Sequence, residues 1–396
     1  MPNRPGNMAS ISLCMIVREE EANLPRSLAP IVSYFDEAVV VDTGSTDGTV
    51  SLAKQYGARV FEIPWRDDFS WARNQSIDLA SGDWIMWFDA DNRITTDDAE
   101  RIRGLIDDRQ DKIFWCTEVV EPGGGELVQK RIFPNRPGFR FAGAIHEQLV
   151  HPEDGFHYVM TDIKIYHWGY ADKESLKQKG LRDLNILKEE LKSNPDDYYF
   201  NFNIARCYGN FREFDKAILH LRKVIQDPHA DKENPDIYFY AFIMMFLFYE
   251  RLRKLDEGLQ TLDILLKKNP QYGLGWFYLG KYHFNNGNFK KASEEFRRFQ
   301  ELGISTYSID IPKRKILFES YYWLAQCYER SGEPLLASDA YQKSLDYEPE
   351  NSHVYLKLAV LSQDLGKEKE GKLYLEECLR IHPENKRARA ALSQIR

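Results

Sequence analysis

The chain changes its hydrophobic period about half-way along. Over the first 170 residues, short apolar runs alternate with polar or helix-patterned segments. This predicts strands over 10–17, 37–41, 59–64 and 84–88, and helices over 23–34, 47–56, 69–80 and 97–107. Strands interleaved with helices of this length make βαβ units, hence a mostly parallel sheet with helices on both faces. After residue 112 the pattern turns β-rich, with strands over 113–120, 127–133 and 158–166 and a hairpin turn at Pro122-Gly-Gly-Gly125. Ligands of parallel sheets bind outside the carboxyl ends of the strands. Those ends carry Arg18-Glu19-Glu20, Asp42-Thr43-Gly44-Ser45 and Asp89-Ala90-Asp91, three polar sets expected to converge on one edge.

From about residue 195 the period lengthens. Pro349 and Pro383 lie 34 residues apart, and Pro235 and Pro270 lie 35 apart. Between them recur aromatic and small positions: Trp276, Leu279, Gly280, Ala292 and Phe296 in one copy, Tyr321, Leu324, Ala325, Tyr328, Gly332, Ala337 and Tyr341 in another. The pattern resembles the tetratricopeptide repeat, whose small residues let paired helices pack closely. About five copies are expected, over 198–229, 239–270, 273–304, 318–349 and 352–383. The second lacks the usual small residues, with Phe246 and Gly258 at two key positions. Residues 173–192 read as a charged amphipathic helix coupling the halves. The expected organisation is therefore an α/β domain over 1–170, a coupling helix over 171–194 and an all-α repeat superhelix over 195–396.

Composition narrows the class. Hydrophobic content of 43% with 29% charged residues fits an ordinary globular protein. The longest apolar stretch, 238–249, is too short to cross a bilayer. The first eight residues lack the apolar core of a signal peptide. Five cysteines without a C-x-x-C pair read as buried thiols of a reduced, cytoplasmic protein. Residues 1–170 carry 17 Lys and Arg against 27 Asp and Glu, a balance of −10, whereas the remainder carries +2. So acidic an N-terminal half argues against nucleic acid as a partner, which would need Lys and Arg. It suits a cation that bridges to a phosphate-bearing ligand.

Asp89-Ala90-Asp91 follows the apolar run 84–88, and two carboxylates at the tip of a buried strand can share a hard divalent cation, Mg²⁺ or Mn²⁺. The run Val39-Val-Val-Asp42 leads into a Gly/Ser/Thr turn that opens a helix. Ser45 or Thr46 is expected to cap that helix, while Asp42 at the strand tip can accept a hydrogen bond from a base edge. With Val17-Arg-Glu-Glu20, Val41-Asp-Thr-Gly-Ser45 and Phe88-Asp-Ala-Asp91 in this order, the chain resembles a family 2 glycosyltransferase of GT-A fold over residues 8–170. The resemblance implies inverting transfer of a sugar from a nucleotide diphosphate sugar, with UDP the expected nucleotide. By that match Val17, Glu20 and Asp42 line the base and ribose pocket, and Ala90 lies against the donor. Asp89 faces ribose or metal, and Asp91 holds the metal against the diphosphate.

Further motifs sharpen the resemblance. Trp65-Arg-Asp-Asp-Phe-Ser-Trp-Ala-Arg-Asn74, Lys130-Arg-Ile-Phe133, Ile145-His-Glu147 and Tyr166-His-Trp-Gly-Tyr170 look like a subgroup that includes bacterial enzymes glycosylating bacteriocin peptides on cysteine. Relatives in its wider neighbourhood act on lipopolysaccharide core. Arg73 and Asn74 then contact the nucleotide or orient Asp89. His167 is either a third metal ligand or a packed residue. Glu147 is the candidate general base, since direct displacement needs a carboxylate beside the acceptor nucleophile. Lys179 and Arg182, three apart on one helix face, would reach over the site or simply face solvent. No Gln-x-x-Arg-Trp motif is present, which disfavours polymer synthesis. A repeat superhelix offers an extended concave surface, so a peptide or protein side chain is the leading acceptor, with a saccharide or lipid-linked acceptor as alternative. The array is equally suited to assembling a homodimer. The rival from another class is a repeat scaffold with a vestigial nucleotide-sugar fold.

Overall fold

The computed structural model describes residues 9–121, 125–152, 154–168, 173–305 and 309–394. The chain divides into two units, Met1–Asp227 with Tyr307–Ile311, and Pro228–Thr306 with Pro312–Arg396.

The first unit is built on strands β1 (Ile11–Val17), β2 (Glu37–Asp42), β3 (Arg59–Glu62), β4 (Trp84–Trp87), β5 (Asn92–Arg93), β6 (Lys112–Glu121), β7 (Gly125–Pro134) and β10 (His157–Trp168). Among the described residues they form one sheet in the order β3-β2-β1-β4-β7-β6-β10-β5. β3, β2, β1 and β4 run parallel. β7 is antiparallel to both its neighbours, and β10 is parallel to β6. β8 (Arg140–Ala142) and β9 (Gln148–Val150) pair separately. The sheet is thus mostly parallel. The hairpin turn expected at Pro122–Gly124 lies outside the described residues.

Both sheet faces are buried, as the near-continuous apolar strands require. Leu13, Met15, Val40, Met86 and Phe114 fill one core, and Cys14, Val39, Ile85, Trp87 and Ile113 fill the other. Helices α2 (Thr49–Gln55), α3 (Phe69–Leu79) and α4 (Thr96–Leu105) match the sequence pattern closely. The helix expected over 23–34 is instead α1 (Leu24–Ser27) followed by a 3₁₀ turn, Val32–Tyr34. Pro30 explains the break, because it has no N–H to donate and its ring obstructs the preceding turn.

One carboxylate ties the amino end of the sheet together. Glu37, opening β2, accepts from the hydroxyls of Ser12 at 2.6 Å and Ser81 at 2.9 Å, from the Ser81 N–H, and from Arg59. It therefore links β1, β2, β3 and the turn into β4.

Helices α5 (Lys173–Ser193), α6 (Tyr198–Asn210) and α7 (Phe214–Gln226) belong to the first unit. In the second unit, after the short α8 (Ala230–Glu233), helices pack in consecutive pairs. These are α9 (Pro235–Arg251) with α10 (Leu255–Lys268), α11 (Gly273–Asn285) with α12 (Phe289–Leu302), α13 (Lys313–Ser331) with α14 (Pro334–Leu345), and α15 (Ser352–Asp364) with α16 (Glu368–Ile381). α17 (Lys386–Gln394) follows. A Cβ at Gly280 would meet Phe296 at 3.0 Å, the close approach that a tetratricopeptide pair requires. In the α9–α10 pair large and small are exchanged: the Phe246 ring fills the space that Gly258 leaves, at 3.3 Å from where a Cβ would stand.

Glu37 generates a pH prediction. Burial opposes its charge, but the donors from Ser12, Ser81 and Arg59 outweigh it and hold the carboxyl down at about 2. A carboxyl depressed on folding stabilises the native state above its unfolded value of 4.5, and that contribution fades as pH falls toward 2. Urea midpoints of the wild type should therefore fall more steeply between pH 5 and about 2 than those of Glu37→Gln. Parallel profiles would remove Glu37 from the account.

Candidate active site

β1 and β2 end side by side, with Val17 in register with Asp42 and the Thr43 N–H donating to the Val17 carbonyl at 3.0 Å. The loops that follow are laced together. Glu19, Glu20 and Glu21 donate their backbone N–H groups to Ser45 Oγ (2.9 Å), Thr49 Oγ1 (2.7 Å) and Asp47 Oδ2 (3.2 Å). In return, the Glu19 and Glu21 carboxylates accept from the N–H groups of Thr46 and Gly48, each at 2.8 Å. The expected cap by Ser45 or Thr46 is therefore corrected. Gly48 takes the N-cap position, and Glu21 and Asp47 accept the first free N–H groups of α2. Carboxylates suit this place because the helix start carries partial positive charge.

This lacing seats Asp42. Its side chain is buried, and Oδ2 accepts from the N–H groups of Gly44 and Ser45 at 3.0 Å. Gly44 has a φ of 106°, a backbone state that favours glycine. Oδ1 is buried and has no hydrogen-bond partner among the described residues. A buried carboxylate oxygen left this way is costly unless a ligand donates to it.

β4 delivers the second set. Arg73, on α3, donates from Nη2 to Asp89 Oδ1 at 2.7 Å and from Nε to Glu147. Arg131, fully buried on β7, approaches the other Asp89 oxygen to 3.6 Å, bonds Glu118 and donates to Asn92 Oδ1 at 3.3 Å. Both guanidinium groups lie over the Trp87 ring, at 4.3 and 3.6 Å from its centre. Burial opposes the Asp89 charge, but Arg73 and Arg131 overcome it and hold the carboxyl below its ordinary range.

Asp91 turns the other way. Its Oδ1 lies 3.4 Å from His167 Nδ1, and its carbonyl accepts from the Trp168 N–H at 3.2 Å, tying it to β10. Burial works against a charged His167, yet Asp91, Glu118 and Asp89 together raise its pKa. Glu20 is raised as well, by burial and by the charges of Asp91 and Asp89, while Asn23 and Lys179 oppose the shift. Glu20, Asp89, Asp91, His167 and Lys179 thus act on one another electrostatically. Among the described residues no three His, Cys, Asp or Glu side chains cluster to hold a metal by themselves. Asp91 and His167 place one carboxylate and one imidazole side by side.

The loop between β8 and β9 supplies Glu147. The Ala144 carbonyl accepts from the Phe69 N–H at 2.7 Å, fixing the loop to the start of α3. His146 is held in the left-handed region at φ 53° rather than extended. Burial, with Arg206 and Lys179 nearby, pushes its pKa down to about 3, so it is neutral.

Two candidate residues sit apart from this group. Both ends of the Asn74 amide are taken by the backbone of Phe141 at 2.9 Å, so Asn74 holds β8 rather than facing the strand tips. Arg182 pairs with Asp183 at 2.9 Å and lies over the Phe69 ring, so it does not share the position of Lys179. Val17 and Ala90 are buried beneath the tips. Sequence reasoning singled out Lys130-Arg131-Ile-Phe133 without a role for Arg131, and it passed over Trp87 and Tyr199. A cation directly before the apolar end of β7, Ile132-Phe133, was the available signal for Arg131.

The Glycosyl transferase family 2 model matches residues 12–168, and tetratricopeptide repeat models match 244–305, 318–351 and 352–385. The chain is 28% identical over 306 residues to a TPR repeat-containing protein of Synechococcus elongatus, covering 74% of this chain and 75% of that protein. It is 28% identical over 273 residues to the SPbeta prophage-derived glycosyltransferase SunS of Bacillus subtilis, covering 66% of this chain and 64% of SunS, just under two thirds of that relative. It is also 33% identical to an uncharacterised glycosyltransferase of Rickettsia typhi, over 66% of this chain and 92% of that protein. Among solved structures, the MamA protein matches 48% of this chain and 94% of its own at 17% identity and a TM-score of 0.37. The parallel sheet with acidic strand tips, the family match across it and the near-complete coverage of the Rickettsia enzyme agree: the chain belongs to glycosyl transferase family 2 and is a glycosyltransferase followed by tetratricopeptide repeats.

Proposed function

We propose that this enzyme is a metal-dependent inverting glycosyltransferase that moves a sugar from a UDP-linked donor to a side chain of a peptide or protein. The observation that carries the reading is the Asp91–His167 pair at 3.4 Å, beside Asp89 and Glu20 at the ends of β1 and β4. One carboxylate and one imidazole fit Mn²⁺ or Mg²⁺, which fill their remaining positions with water and substrate phosphate oxygens. When bound there, the cation supplies the positive charge that a departing nucleotide diphosphate needs. Lys179, close enough to act on Glu20, adds to it.

The protein's own groups do the rest. The open Asp42 Oδ1 is suited to a ring N–H of the base, and Glu20 to the ribose. Arg73 holds Asp89 and Glu147 at a fixed separation, so donor and acceptor sides share one support. Glu147 draws the proton from the acceptor nucleophile as the new bond forms, in keeping with a single displacement. The stacked helix pairs of the repeats offer the long surface that a peptide segment needs. SunS, a relative that carries the name glycosyltransferase, supports the transfer reading.

A ligand that binds only the native state raises the melting temperature by mass action. UDP with Mn²⁺ should therefore raise Tm by about 2–4 °C at saturating concentration, and Asp91→Ala should abolish the metal-dependent part. An equal shift in both proteins would remove Asp91 from the metal site, and no shift with any nucleotide diphosphate would sink the donor assignment.

Glu147→Gln should lower kcat by about 10²-fold or more with donor KM changed less than about twofold. Unchanged turnover would mean that another group takes the proton.

A further inference from the structure

We propose that Tyr199, at the start of α6, is a positioning residue of the transfer reaction, and that α6 is a working part of the catalytic unit. The inference deepens the reading above, since it rests on Glu147 acting at the acceptor.

His146 has a φ of 53°, a left-handed state uncommon for a residue other than glycine. The Tyr199 phenol donates to the carbonyl of this residue at 2.6 Å. Gln148 Nε2 donates to the same carbonyl at 3.1 Å and to the phenol oxygen at 2.9 Å. The turn is thus closed by a three-membered polar ring, largely buried around the phenol, which raises the Tyr199 pKa to about 12 and keeps it a donor.

The residue after this carbonyl is Glu147, which meets Arg73. The ψ of His146 sets where Glu147 starts, so the phenol fixes the direction from which that carboxylate approaches Arg73 and Asp89. α6 is itself firmly seated. Asp197 caps it through the Phe200 N–H at 2.9 Å, and the Asn203 side chain donates to the Tyr199 carbonyl at 3.0 Å. Tyr199, Asn203 and Arg206 recur at helical spacing, so one face of α6 is turned to this loop. By sequence period α6 opens the repeat array, yet it belongs to the same compact unit as the sheet. The phenol therefore has a task that a repeat helix alone does not require.

The test uses the full-length protein with Tyr199→Phe, which removes one oxygen and keeps the ring. Loss of the hydroxyl should lower kcat about 10- to 30-fold while donor KM changes less than about twofold and Tm falls by less than about 3 °C. Amide exchange across Gly143–Gln148 should quicken about tenfold or more. Gln148→Ala, which leaves the phenol in place, should give a smaller effect in the same direction. Unchanged kcat or unchanged exchange in Tyr199→Phe would overturn the proposal, as would equal rises in KM and Tm loss without a kcat effect. A wild-type enzyme that turned over no nucleotide sugar would instead defeat the transfer reading, and exchange at Gly143–Gln148 would still decide whether Tyr199 holds the loop.

Discussion

The site depends on a buried guanidinium shared between two carboxylates. Arg73 joins Asp89, at the end of β4, to Glu147, on the loop before β9, and Arg131 continues the chain from Asp89 to Glu118. Three carboxylates and two guanidinium groups are linked in this way, and both guanidinium groups lie over the Trp87 ring. Buried charges are tolerated only when they are paired in good geometry, and removing one partner strands the other. Each member therefore holds its neighbour, and the positions of Asp89 and Glu147 are set before any ligand arrives. Such prior placement lets donors and acceptors stabilise developing charge without reorganising during the reaction.

The same pairing divides the labour of the acidic tip. Asp89 is paired with two arginines, whereas the ion-pair partner of Asp91 among the described residues is His167 on β10. Of the two carboxylates in the Asp-x-Asp sequence, Asp91 is thus the one set apart from the guanidinium groups. The raised pKa of Glu20 has the same origin, since burial and two neighbouring carboxylates crowd negative charge into one place. The excess of acidic residues in the first 170 positions, a net balance of −10, is thus partly gathered at the strand tips.

Much of this was legible in the chain. Strand ends are where apolar runs stop, so Glu20, Asp42, Asp89 and Asp91 could be read directly, and the repeat period announced the helical half. What could not be read were side-chain partnerships across long separations. Ser45 and Thr46 looked like caps because of their position before the helix, but Glu21 from the loop after β1 takes the Gly48 N–H and Asp47 takes that of Thr49. Asn74 beside Arg73 looked functional, yet neighbours on a helix point in different directions and its amide serves the backbone of β8. Trp87 lay hidden inside an apolar strand pattern, where a residue reads as core whatever it contacts, and the charge of Arg131 did not reveal its partners. Tyr199 lies 53 residues from His146 and falls in a different sequence period, so no local signal joined them.

The central claim is that the Asp89 and Glu147 carboxylates are held by Arg73, and a mutant cycle in urea tests it most directly. Arg73→Met alone should cost about 3–5 kcal/mol, because it strips Glu147 of the Arg73 charge and leaves Asp89 to the more distant Arg131. Adding Asp89→Asn and Glu147→Gln should restore at least half of that loss, since neutral amides need no counter-charge. A triple variant as unstable as the single one, or less stable, would contradict the account.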